Sequence, residues 1–145
     1  MKAGKLIVFT ATFALAAVAL ISMSSCGGGG GSDTPDVAAL LKSGTWKVNA
    51  VTVDGTNQLS LFTGLTVTFS ASSFSAVNGG VVWPSSGTWT LNTAGTTISR
   101  GDGLSISIDN ISETALTLSL FWDKTILDGG RSQALEGDHV FTFGK

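Results

Sequence analysis

From Thr45 onward the chain alternates between apolar side chains and hydroxyl-bearing ones, and a period of two dictates extended strands. Leu65, Val67 and Phe69 fall on one side, with Thr66, Thr68 and Ser70 on the other. Leu104, Ile106 and Ile108 alternate with Ser105, Ser107 and Asp109. Leu116, Leu118, Leu120 and Trp122 alternate with Thr117, Ser119 and, less regularly, Phe121. Trp89 and Leu91 alternate with Thr88, Thr90 and Asn92, and Phe141 and Phe143 with Val140 and Thr142. Each segment reads as a half-buried strand with an apolar inner face and a polar outer one. Between Thr45 and Val53 the apolar parity shifts from Trp46, Val48 and Ala50 to Val51 and Val53, as a β-bulge near Ala50 would produce.

Asp54-Gly55, Asn78-Gly79-Gly80, Ala94-Gly95 and Gly101-Asp102-Gly103 are turn signals between these segments. Such close spacing predicts an antiparallel sandwich or barrel, and a barrel is preferred because closure removes exposed edges. Upstream, Thr34-Pro35-Asp36 has the form of a helix start, with Thr34 as N-cap and Pro35 first in the helix. Val37 to Lys42 follows as a short helix that stops near Ser43-Gly44. The expected fold is all-β: a small antiparallel up-and-down barrel of about eight strands after a short N-terminal helix. Trp46, Phe69, Trp89, Leu118, Trp122, Phe141 and Phe143 are the candidate core or pocket-wall residues, with Leu65, Phe74, Ile98 and Ile106 beside them. An eight-stranded barrel is just wide enough to be filled by side chains or to hold one small ligand. This many large inward groups predict a filled base and at most a shallow pocket.

The N-terminus has a different composition. Lys2 and Lys5 precede an uncharged run from Leu6 to Ile21, shorter than the roughly 20 apolar residues of a membrane-spanning helix. It fits a secretory signal. Met23-Ser24-Ser25-Cys26 resembles the bacterial lipobox, in which lipid is attached to the cysteine and cleavage occurs just before it. Met23 and Ser25 are conservative departures from the usual residues. Cys26 is the only cysteine, so it cannot form an internal disulfide, and lipidation accounts for it. Several acyl chains, as the resemblance implies, give stable anchoring where one does not. Gly27 to Gly31 with Ser32 then form a tether, and the stretch from Gly27 to Thr34 has a reach of roughly 15 Å. The expected organisation is a signal over residues 1–25, a lipidated cysteine and tether over 26–35, and a barrel domain over 36–145. The expected location is the cell envelope, at the outer membrane, on either of its faces.

The short helix followed by Gly44-Thr45-Trp46 resembles the opening of the lipocalin fold. The wider set of Ser43-Gly44-Thr45-Trp46, Val82-Trp83-Pro84, Ser86-Gly87-Thr88-Trp89 and Gly137-Asp138-His139-Val140-Phe141-Thr142-Phe143 resembles lipocalin-like lipoproteins of Bacteroidota, over about residues 37–145. The resemblance implies the barrel but no activity. It also implies a basic side chain packed over the first-strand Trp46, for which Arg100 or Arg131 is available.

Loss of Lys2 and Lys5 with the signal leaves 6 Lys and Arg of the original 8 against 10 Asp and Glu, a formal charge of −4. A mildly acidic surface without basic clusters argues against nucleic-acid partners. Neither a catalytic residue, nor a metal site, nor a cofactor is nominated, and the expectation is a non-enzymatic domain. His139 is the sole histidine, and Asp138 beside it points to the opposite face, so it reads as a structural residue at the barrel rim. Asp123, Asp128, Glu136 and Asp138 lack the spacing of a calcium loop. Arg100-Gly101-Asp102 matches the integrin-binding tripeptide, yet Gly-Asp is ordinary turn chemistry. The long Asp123–Gly137 connection, carrying Ile126, Leu127 and Leu135, reads either as a lid over one barrel end or as a solvated loop. The leading reading is a lipid-anchored binding domain for a small apolar ligand at its open end. The rival is a structural or interaction module that meets envelope proteins or glycans through its Ser/Thr-rich outer wall. Replacing the anchor, Cys26→Ser, is expected to move the protein from the membrane to the soluble fraction. Fractionation that finds the variant still membrane-bound after signal removal would refute lipidation at this cysteine.

Overall fold

The computed structural model describes residues 35–123 and 136–145, with the backbone of residues 127–128 and 131–132. Cys26, the tether and most of the Asp123–Gly137 connection, read as a lid or a solvated loop, lie outside the described residues. Helix α1 spans Val37–Lys42, as expected, but its cap is Asp36 rather than Thr34. The Asp36 carboxylate accepts from the Ala39 N–H at 3.1 Å, satisfying an orphan donor at the positive end of the helix. Pro35 therefore precedes the cap instead of opening the helix. Leu41 is the one fully buried residue of α1.

Eight strands follow: β1 (Thr45–Val53), β2 (Thr66–Phe69), β3 (Ser73–Val77), β4 (Ser86–Leu91), β5 (Thr97–Arg100), β6 (Ser105–Ile111), β7 (Ala115–Trp122) and β8 (Gly137–Gly144). Each pairs antiparallel with the next, and β8 pairs with β1, so the sheet closes into a barrel. The short strand Thr56–Asn57 adds to the end of β1, and residues 127–128 and 131–132 form a separate small ladder. In the closing pair Val51 faces Phe141 and Val53 faces His139, and the register shifts between Val48 and Ala50. This is the bulge that the parity change demands. A second shift, between Ile108 and Asn110 of β6, has the same signature, since Ile106 and Ile108 give way to Ile111.

The helix closes one end of the barrel. Trp46 is wholly buried and donates its indole N–H to the Leu41 carbonyl at 2.9 Å. The basic group over Trp46 is Lys145, whose Nζ lies 4.4 Å from the ring centroid. Arg100 is elsewhere, because it is the last residue of β5, which ends at the opposite mouth. The side chain of Arg131 lies outside the described residues.

That other mouth is plugged from within. Val82 and Trp83, on the β3–β4 connection, are buried, as is Phe62 on the 3-10 turn Leu59–Phe62. Trp83 meets Phe74, Phe141 and Phe143 edge-to-face at 5.9, 5.9 and 6.3 Å. Phe62 meets Phe141 the same way at 5.0 Å. Gly79 allows this plug: the Trp83 N–H bonds to the Gly79 carbonyl at 3.0 Å, and a Cβ on Gly79 would lie 2.3 Å from Trp83. The filled interior leaves no deep calyx among the described residues.

Trp46→Ala is expected to cost about 3–5 kcal/mol, a large part of the roughly 5–15 kcal/mol that holds a small domain together. Replacing the exposed turn residue Glu113 by alanine should stay within about 0.5 kcal/mol. Urea melts of both decide the matter, and a parent-like midpoint for Trp46→Ala would remove the indole from the core.

Candidate functional site

The polar feature of the plugged mouth is Arg100, the last residue of β5. Ile98 is fully buried, and two residues on, by strand periodicity, Arg100 also points inward and is 4% exposed. A buried guanidinium is costly unless its donors are used. Here Nε donates to Asp102 Oδ1 at 3.1 Å, Nη2 pairs with the second carboxylate oxygen, and Nη1 donates to the Val82 carbonyl. The guanidinium carbon lies 5.7 Å from the Phe74 centroid and 5.6 Å from that of Trp83, within range of both π faces. Hydrogen bonding from Arg100 holds the Asp102 carboxyl below the ordinary carboxylate range, against the opposing pull of partial burial.

Beside this clamp lies an open groove of about 360 Å³, bordered by Phe74, Pro84, Gly87, Thr88, Arg100 and Asp102. Gly87 shapes it. A Cβ there would lie 2.6 Å from Phe74 Cε1, so only glycine lets the phenyl ring lie flat against β4. The groove thus has an apolar floor and an ion pair at its edge. Its volume falls at the small end of the range for ligand pockets, about 300–1,000 Å³.

Arg100-Gly101-Asp102 does not present its charges as an adhesion tripeptide would. The arginine is turned inward and its charge is taken by Asp102 two residues on. His139 is fully buried, nearer the interior than a rim position implies. Its Nδ1 lies 3.1 Å from the Gly137 carbonyl, which can only accept, so Nδ1 carries the proton. The ring stacks on Phe141 at 5.9 Å and meets the edge of Phe62 at 6.1 Å. Its Nε2 has no partner among the described residues, so packing rather than a polar relay holds this imidazole. Asp138 is exposed on the outer face, as strand parity requires. No three His, Cys, Asp or Glu residues cluster at metal-binding distance among the described residues.

The seven candidate wall residues Trp46, Phe69, Trp89, Leu118, Trp122, Phe141 and Phe143 are all buried. They touch as core, not as the lining of a hollow. Phe69 meets Trp89 edge-to-face at 5.2 Å, and Trp89 Nε1 is shared by the carbonyls of Ser70 and Ser73 at 3.1 and 3.0 Å. Trp122, at the mouth, borders a surface groove. The groove beside Arg100 involves none of the seven. Its sequence signal was a charged residue at an inward position of β5, together with the Pro84-Ser85-Ser86-Gly87 stretch before β4 that interrupts the strand pattern.

A family model described as a lipocalin-like domain matches residues 43–120. The match begins just before β1 and ends within β7, so it covers the Arg100 clamp. No curated protein and no solved structure matches the chain.

Asp102→Ala leaves a buried guanidinium short of its main acceptor and is expected to cost roughly 1–3 kcal/mol at neutral pH. The folded-state value for Asp102 is lowered, so its contribution is complete above the unfolded value of about 3.9 and is lost as pH falls through the depressed one. The difference in urea midpoint between parent and variant should therefore be constant at neutral pH and shrink below about pH 4. A difference that persists unchanged at about pH 2 would show that the carboxylate charge is not what stabilises the clamp.

Proposed function

The chain belongs to the lipocalin-like domain family, and from that premise we propose that it is a lipid-anchored, non-catalytic binding domain of the bacterial envelope. Its ligand is small and largely apolar, and it binds in the groove between β4 and the Arg100–Asp102 clamp. One observation carries this reading: the interior is filled at both ends, while an open groove of about 360 Å³ with an apolar floor remains at the mouth. Membership of the family supports a binding role rather than catalysis. The solitary buried histidine, packed against phenylalanines, supports it too. The anchor rests on the lone Cys26 after an uncharged leader, as in the lipoproteins of Bacteroidota that the chain resembles.

A second reading, an interaction module acting through the outer wall, is favoured by the exposed ring of Phe121. The two readings place binding at different residues, so one variant separates them. Ser86 is exposed at the groove edge, and Ser86→Trp should fill the groove without touching the core. The Cys26→Ser protein is expected to bind anilinonaphthalene sulfonate, an apolar anionic dye, saturably at one site. Ser86→Trp should weaken that binding by about tenfold or more, about 1.4 kcal/mol, at an unchanged melting temperature. Affinity indifferent to Ser86→Trp would move the ligand away from this groove.

A further inference from the structure

Phe121 breaks the hydroxyl pattern of the outer wall. It is 55% exposed and is the one aromatic side chain so exposed among the described residues. Most of its neighbours on this face are polar, and Val140 lies diagonal to it. Across the β7–β8 ladder it faces Asp138, and one step down the same face Ser119 stands between Ser107 of β6 and Val140 of β8. Ser105 of β6 is exposed near the same ring.

Two open grooves meet at this ring. One, of about 310 Å³, runs along Ser105, Ser107, Ser119 and Asp138. The other, of about 390 Å³, runs toward the mouth along Ser105, Asp102 and Asp123. Both include Phe121 and Ser105, so they form a continuous track with the phenyl ring as its ridge. Among the described residues, no lysine or arginine borders either groove. Asp109, which accepts from the Ser119 hydroxyl at 3.0 Å, adds a further carboxylate beside the track.

These features define the chemistry that fits. The face of a phenyl ring carries negative charge density and attracts weakly positive C–H groups as well as apolar area. Carboxylates accept hydrogen bonds, and serine hydroxyls both donate and accept. A sugar ring offers the complement: one face of C–H bonds and a rim of hydroxyl donors. An apolar protein hot spot fits less well, because such anchors sit in fully desolvated surroundings, and here the ring stands on an open face flanked by serines and aspartates, with Leu104 as the apolar neighbour toward the mouth. The carboxylates also exclude anionic partners. We propose that the outer face of β6, β7 and β8 binds neutral or amino-bearing saccharides, with Phe121 as stacking platform and Asp138, Ser105 and Ser107 as hydrogen-bonding partners. This deepens the interaction reading and is independent of the mouth groove.

The test titrates the Cys26→Ser protein with a neutral cello-oligosaccharide, a chitosan oligomer, an oligogalacturonate and a polylysine peptide. Calorimetry and amide chemical shifts are the readouts. The two non-anionic sugars are expected to bind at about millimolar strength, as open sites do, and to perturb β6–β8. The oligogalacturonate should not bind. Phe121→Ala should weaken sugar binding at least about tenfold while leaving melting and dye binding unchanged, since the ring is exposed. Asp138→Asn should weaken chitosan binding more than that of the neutral sugar, because only the former has ammonium groups. Polylysine binding lost in Phe121→Ala, without sugar binding, would overturn the saccharide and leave the interaction reading standing. Absence of all binding, or sugar binding insensitive to Phe121→Ala, would overturn the saccharide site together with the outer-wall reading at Phe121.

Discussion

Antiparallel pairing of β1 with β8 is the constraint on which the rest of the molecule depends. A closed sheet has no unpaired edge, so each strand gives its backbone groups to two neighbours. Closure also fixes the interior volume, and a barrel of eight strands has little to spare. Here that volume is taken by indoles and phenyl rings: Trp46 against the helix at one end, Trp83 and Phe62 at the other, Phe141 and Phe143 between them. The bulge between Val48 and Ala50 lets β1 serve both ends, because it returns Val51 and Val53 to the inside after Trp46 and Val48. Without it the second half of β1 would turn its valines to solvent just where it must face Phe141 and His139.

A filled, closed barrel leaves its open space at the surface, and the groove at the mouth is the first consequence. Arg100 cannot be withdrawn from water without an acceptor set, and a two-residue turn supplies one from Asp102. The pair rigidifies the β5–β6 turn, and the guanidinium plane fills the gap between Phe74 and Trp83. The groove then exists because Gly87 leaves the phenyl ring uncovered from the β4 side. Clamp, plug and groove form one packing unit, in which the arginine also donates to the Val82 carbonyl of the plug.

Features that repeat with period two were legible in the sequence; features set by irregular backbone were not. Strand positions, the inward set and the bulge near Ala50 all follow from parity and from turn glycines. The short helix was legible too, although its cap is Asp36, two residues after the expected Thr34, with a carboxylate at the positive helix end. Trp83 carried no structural signal, since the residues around it form a turn with no period. Its place in the core depends on the fold-back at Gly79, a contact between backbone atoms. Lys145 covers Trp46 only because closure brings the end of β8 beside the start of β1, a non-local consequence that no local pattern encodes. Arg100 was readable by parity, since an inward strand position two residues from Ile98 implies burial. A charge in that place conflicts with the binary pattern, and such conflicts mark sites whose partners must be sought in space.

The outer wall responds to the same constraint in the opposite way. Closure exempts its residues from packing, so they need only suit water and cross-strand neighbours, and serine and threonine do both. Phe121 meets neither need. Its direct ladder partner, Asp138, offers it no apolar cover, and the inner positions beside it, Leu120 and Trp122, already supply the core. Its exposed ring leaves apolar area in water at a cost of about 25 cal/mol per Å². Nothing in the packing of the described residues recovers that cost. A residue that the packing of the described residues leaves exposed, set among hydroxyls and carboxylates on three paired strands, is where the proposed saccharide site is centred.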